Sequence, residues 1–453
     1  MEAYTQTGTS ILEHPAAQAL LEQAVLRPSA VRGCEDRLTR FLQRYLPFFY
    51  RKEQRHNAGI VIEGLLSGLE RKTCEPIARE HGVHRKPIQF FVGNGAWDDE
   101  AVMAQLRGHV KEELADENAV LVLDPSAFAK KGTESCGVKR QWCGRLGKEE
   151  NCQVGVFLCY AAAQGHAPLD RRLYLPREWA DDPARRKKCH VPEAVVFQER
   201  WRIGLEMLAR CRAEGLPHGW VAADDEFGRC NEFRSGLREQ RERYVLDVPA
   251  NTLMRDLEAP VRQPQPGAGR PRKTPFVQVR RWLAEQPACA WQTVIVRAGT
   301  RQPLQVEALM RRVQARDENR RVGAQERLLV VRRMVEGRPE VCYSLSNATD
   351  QVSLAELVQA HAQRHRIEQM LQEGKGESGL GHYEVRSWTG WHHHMTLALL
   401  ALWFLGLEKR CMGKKKLSGG DRAAGAGDFF LPAAASATQL WANCPTGQPG
   451  FAT

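Results

Sequence analysis

With 453 residues, 43% of them hydrophobic, the chain can form two to four domains at roughly 150 residues each, around at least one sizeable core. A net charge of +11 and a pI of about 9.1 point to a polyanionic partner, nucleic acid first. The 13 cysteines stand singly, without C-x-x-C or zinc-type Cys/His spacing, and the longest apolar run, Met395 to Leu407, is too short for a bilayer, which argues against a disulfide framework, a zinc module and a membrane protein.

Residues 1–115 read as helical, with several basic clusters and no signal or transit peptide at the start. Within them Ile77 to Val92 has helix-turn-helix spacing: small Ala78 permits close helix contact, Gly82 sits at the turn, Val83 and Ile88 are apolar anchors, and Pro87 fits the first turn of the second helix. DNA contact and an ordinary helical hairpin stand as equal readings there. Residues 116–250 alternate strands and helices. Ala119 to Asp124 is a continuous apolar run closing on a carboxylate, as suits a strand buried on both faces. Cys152 to Ala163 and Arg172 to Leu175 read as strands, Pro192 to Glu214 as a helix, Gly219 to Asp224 as a strand, Phe233 to Gln240 as a short helix and Tyr244 to Val248 as a strand, together a mixed α/β layer. Residues 251–350 hold the Pro/Gly-rich basic loop Gln263 to Pro275 and then strands in TVIVRA, RLLVVRRM and EVCYSLSN, expected to form an inserted sheet. In 351–411 one long helix is expected from about Leu354 past Glu373, and 412–453 is Gly/Ala-rich and expected to be disordered.

Asp124 and Asp224 both end an apolar strand, where α/β sheets open onto the ligand crevice. If the two strands are neighbours, the carboxylates converge, and a divalent cation relieves their repulsion. A turn or helix-capping role is the plain alternative for each. Arg364, Glu368 and Lys375 lie at spacings of four and seven, within an arc of about 40° on a helix, with His361 close beside them. One stripe thus offers a carboxylate as metal ligand between two cations that can hold phosphates. A solvated face with i,i+4 ion pairs is the alternative there.

These residues carry a resemblance. R-x3-E-x6-K at Arg364, Glu368 and Lys375 is similar to the motif around the last acidic residue of DDE transposases of bacterial insertion sequences. LVLDPSAFAKKG resembles their first-Asp block and VAADDEFGR their second, and further similar blocks extend the likeness over roughly Leu121 to Leu407. His361 stands where the broader motif has Tyr, and Pro125 follows Asp124 where a second Asp is usual. Asp225 rivals Asp224 for the second position; the run Glu226-Phe227-Gly228 favours 224.

The resemblance implies an α/β, RNase H-like (retroviral-integrase-like) catalytic core, 116–250 completed by 351–411, with a β-rich insertion at 251–350 and a helical N-terminal domain. It implies a cytoplasmic, nucleoid-associated transposase that cuts DNA at terminal inverted repeats and joins it to target DNA as a homodimer. Asp124, Asp224 and Glu368 would hold two Mg²⁺ ions, with Mn²⁺ as a substitute, while His361, Arg364, Lys375, Lys130, Lys131 and Arg140 would contact DNA. A DNA-binding protein without catalysis, or a nuclease without strand transfer, is the alternative. Trp282 resembles by location an aromatic that stacks on a flipped base, though a core or surface role is the commoner fate. His392-His393-His394 on a helix point three ways and cannot converge on one ion.

Overall fold

A computed structural model describes residues 33–260, 274–297, 304–335 and 337–411. The expectations for the 412–453 tail, and for the Gln263–Pro275 loop up to residue 273, lie outside the described residues. The chain divides into two compact units, the first from Met1–Gln105, Glu373–Val385 and His393–Thr453, the second from Leu106–Gln372 and Arg386–His392.

In the first unit the helices Cys34–Gln43 (α1), Lys52–Leu66 (α2), Cys74–Glu80 (α3) and Arg85–Asn94 (α4) follow one another. α3 and α4 form the expected hairpin. Gly82 turns at φ +63°, a left-handed conformation that a Cβ would strain, and His84 caps α4 by accepting the Lys86 N–H at 3.2 Å. Ile77, Ala78 and Ile88 are buried, and a Cβ on Gly64 of α2 would lie 2.5 Å from Ile77, so glycine lets α2 and α3 close up. His393 stacks on Trp97 at 3.7 Å between ring centroids, with its nitrogens against the Val92 and Trp97 carbonyls. His394 instead faces the Gly379 carbonyl, so the histidines do not converge.

The second unit is built on one 12-stranded sheet. It includes Val120–Ala129 (β1), whose residues Val120 to Leu123 are fully buried, as the unbroken apolar run requires. Lys139–Cys143 (β2) and Gly165–Leu173 (β4) both pair with Lys148–Ala162 (β3), which runs antiparallel to β1. On the other side of β1 lie Trp220–Ala223 (β5) and Tyr244–Asp247 (β6), both parallel to it. The crossover helices Arg200–Ala213 (α5) and Asn231–Glu239 (α7) join β4 to β5 and β5 to β6, with the one-turn helix Asp225–Gly228 (α6) directly after β5. Gly204 of α5 rests on Leu123; an added Cβ would meet it at 3.1 Å.

Two expectations about helices are corrected here. The helix expected from Pro192 begins only at Arg200, after an irregular segment containing Pro192 and the β-branched pair Val195-Val196. The strands expected between 251 and 350 are present and extend the same sheet. Leu253–Asp256 (β7), Val277–Gln278 (β8), Gln292–Arg297 (β9), Leu304–Arg316 (β10), Val322–Val335 (β11) and Arg338–Ser346 (β12) continue the central sheet, because β12 pairs with β6 through Ser344↔Asp247, Leu345↔Leu246 and Ser346↔Val245. The long C-terminal helix is two, Leu354–Ala362 (α8) and His365–Gly376 (α9), separated by tight turns in which the Gln363 and Arg364 N–H groups donate to the Ala360 and His361 carbonyls.

Trp282 is buried among Met254, Val279, Leu309, Val313 and Leu328, and its indole N–H donates to Asp256 at 2.9 Å. It is a core residue and offers no face to a base. Trp282→Phe, which removes that donor, should cost about 1–3 kcal/mol in chemical denaturation, and unchanged stability would mean that the indole N–H contributes nothing to this core.

Candidate active site

Leu123 is the register partner of Ala223, and Ala223 of Leu246, on three neighbouring parallel strands. The next residue on each is an aspartate: Asp124, Asp224 and Asp247. Adjacent strands lie about 4.8 Å apart, so these carboxylates form a row across the strand ends. Asp247 was not singled out from the sequence, although YVLD has the same form, an apolar run closing on Asp, as LVLD and VAAD.

Asp224 caps α6, accepting the Glu226 and Phe227 N–H groups at 3.1 and 3.4 Å. Its carboxyl is pushed up to about 7, chiefly by burial, then by Glu226 and Asp225, against the opposing pull of the Phe227 N–H and Arg364. Asp225 faces away to Arg229 at 3.1 Å, and Glu226 to Arg200 at 2.6 Å. Glycine at 228 has a steric cause: a Cβ there would stand 1.8 Å from the Asp247 carbonyl oxygen.

Arg364 links the row to the helix that carries Glu368. Its Nε meets Asp247 at 2.8 Å and its Nη2 meets Glu368 at 2.7 Å. Burial works against its charge, yet Asp247, Glu368, Asp124 and Asp224 together raise its pKa, so all four carboxylates lie within its electrostatic reach. His361 Nε2 lies 3.0 Å from the other Asp247 oxygen, and the Ser344 hydroxyl donates to that oxygen at 2.8 Å. Glu368 is half out in solvent, 42% exposed, and its second oxygen meets His365 at 3.0 Å.

The site thus gathers Asp124, Asp224, His361, Arg364 and Glu368. Lys375 stands in the last turn of α9, in the first unit; Lys130 and Lys131 follow β1, and Arg140 lies exposed on β2. Among the described residues no three His, Cys, Asp or Glu side chains are drawn up around a cation position. Glu368 is turned to Arg364 and His365. The donor set still fits a hard divalent cation, because carboxylate oxygens are its preferred ligands and Asp224 carries a negative charge that its buried setting disfavours.

Residues 44–303, more than half of the chain, match the family of DDE superfamily endonucleases. The chain belongs to that family. The matched stretch includes Asp124 and Asp224 and ends before Glu368. Endonucleases of this superfamily use divalent metals. The chain is also similar to a protein of Microchaete diplosiphon described as a probable transposase for insertion sequence element IS701, with 28% identity over 192 residues, 42% of this chain and 47% of that protein. It therefore spans about half the length of the relative it matches. Among the described residues no helix is long and apolar enough to cross a membrane.

Proposed function

We propose that the chain is an insertion-sequence transposase that cuts DNA at the element's terminal inverted repeats and transfers the freed ends to target DNA. The observation that carries this reading is the register of Asp124 with Asp224 on adjacent parallel strands, with Arg364 tying the Glu368 helix to the same strand ends. The strand order β4-β3-β1-β5-β6, three antiparallel strands followed by two parallel ones with crossover helices, agrees with an RNase H-like core.

Asp124, Asp224 and Glu368 would hold two Mg²⁺ ions, for which Mn²⁺ can substitute. Bound there, the ions would activate the attacking water or 3′-hydroxyl and neutralise charge on the leaving oxygen. Asp224 keeps one oxygen on its cap N–H groups and so presents a fixed edge to the site. Arg364 brings a permanent positive charge for the scissile phosphate, with His361, Lys375, Lys130, Lys131 and Arg140 as further DNA contacts. In the first step water adds to phosphorus and the 3′-oxygen leaves; in the second that 3′-hydroxyl attacks the phosphorus of a target phosphodiester, whose own 3′-oxygen leaves. Cutting two ends together calls for a homodimer on DNA, acting in the cytoplasm at the nucleoid, with α3 and α4 of the N-terminal region supplying end recognition.

Purified protein should nick DNA carrying the terminal repeats when Mg²⁺ is present and not in EDTA, and should join labelled ends to a plasmid. Asp124→Ala and Glu368→Ala should do neither while still binding the DNA. Undiminished cutting by either variant would place the chemistry elsewhere.

A further inference from the structure

The row of strand-end aspartates has a third member for which a two-carboxylate strand pair leaves no task. Asp247 is half-buried and both its oxygens are engaged: Oδ1 by His361 at 3.0 Å and the Ser344 hydroxyl at 2.8 Å, Oδ2 by Arg364 at 2.8 Å. Three of its roughly four lone-pair sites are thus taken by protein groups. What it holds is informative. His361 belongs to α8 and Arg364 to the break before α9, so one side chain pins both sides of the interruption in the C-terminal helix pair. Arg364 then reaches Glu368, one helical turn further on, at 2.7 Å.

We propose that Asp247 is a positioning residue for the reaction: it fixes Arg364 by its Nε edge, aims the rest of the guanidinium at the incoming phosphate, and sets the orientation of the helix bearing Glu368. The inference rests on reading the site as a metal-dependent nuclease. Burial alone would raise the Asp247 carboxyl, but His361, Arg364 and Ser344 hold it below the ordinary carboxylate range, so its charge is present throughout the working pH range.

The test is Asp247→Asn, whose amide oxygen can still accept from Ser344 and His361 but whose NH₂ group repels the Arg364 Nε–H. Cleavage of terminal-repeat DNA should fall about 10- to 100-fold, the usual cost of losing a partner that orients an active-site group. The thermal midpoint and the half-saturating Mg²⁺ concentration should stay where they were. In an Arg364→Gln background the same change should cost less than about threefold, because the residue it positions is gone. A large rise in half-saturating Mg²⁺, with rescue at high Mg²⁺ or by Mn²⁺, would make Asp247 a metal ligand and overturn the proposal. So would a full loss in the Arg364→Gln background, or a lowered midpoint that accounts for the lost rate. Wild-type protein that does not cut at all would instead defeat the nuclease reading. The same four-protein cycle read as affinity for that DNA in EDTA then tests the link between Asp247 and Arg364, and additive losses would overturn it.

Discussion

Asp224→Asn is expected to abolish Mg²⁺-dependent cleavage, by a factor of about 10³ or more, and at the same time to make the metal-free protein more stable at about pH 8. Both effects come from one feature. The Asp224 carboxyl is pushed up to about 7 by burial and by the neighbouring charges of Glu226 and Asp225. Its folded-state pKa therefore lies above the unfolded value of 3.8. Between those two values the folded chain binds the extra proton, so stability is fully present below about 4 and falls as pH rises towards 7. Asparagine is neutral throughout and still caps α6 by accepting the Glu226 and Phe227 N–H groups. The gain should be about 1–3 kcal/mol at about pH 8 in EDTA and should vanish near pH 4, read from denaturation of the two proteins side by side. Bound Mg²⁺ should restore the wild type, and its affinity for the ion should weaken about tenfold per pH unit below 7 as the proton competes. A variant that is dead but no more stable than wild type would mean that Asp224 is not held against its charge.

Where the sequence was legible, the information was local. LVLD, VAAD and YVLDV announce strands by unbroken apolar runs, and those at 120, 220 and 244 are strands of the central sheet. Gly228 is explained by a close carbonyl, and Gly82 by a left-handed turn that residues with a side chain rarely adopt. Pairing is not local, which is why the continuity of the inserted strands with β6 was not legible: nothing in EVCYSLSN names its partner. The strand β10 eluded sequence reading for a different reason, since LQVEALMRRVQAR is rich in helix formers and becomes a strand only between β9, β7 and β11. In the C-terminal helix the 3.6-residue period ran through Gln363 without a Gly or Pro to stop it. At the break the chain meets Asp247, 114 residues upstream of His361, a tertiary contact that local propensity does not register. The same contact kept Asp247 itself out of sight, because its role depends on residues far along the chain.

Glu326→Ala should be among the most damaging substitutions outside the site, at about 3–5 kcal/mol. Glu326 stands on β11 with no side-chain exposure, and one of its oxygens meets Arg234 at 3.1 Å, Arg238 at 2.8 Å and the Tyr244 hydroxyl at 2.6 Å. Arg234 is itself 2% exposed, so truncating the carboxylate leaves a guanidinium in a low-dielectric interior without its counter-charge. The Tyr244 phenol, whose pKa is raised by burial and then by Glu326, loses its acceptor in the same step. Tyr244 opens β6 and Arg234 lies in α7, so this cluster joins the continued strands to the part of the sheet that ends in Asp247. Glu326→Gln keeps an acceptor for the tyrosine and should cost less than the alanine variant, because only the charge is lost. An exposed pair such as Arg333 with Glu340 should contribute less than about 1 kcal/mol when broken, which supplies the control. Denaturant unfolding of the three variants settles the order. If Glu326→Ala cost no more than the exposed pair, the buried charges would have found water, and the cluster would not be what holds β11 to α7 and β6.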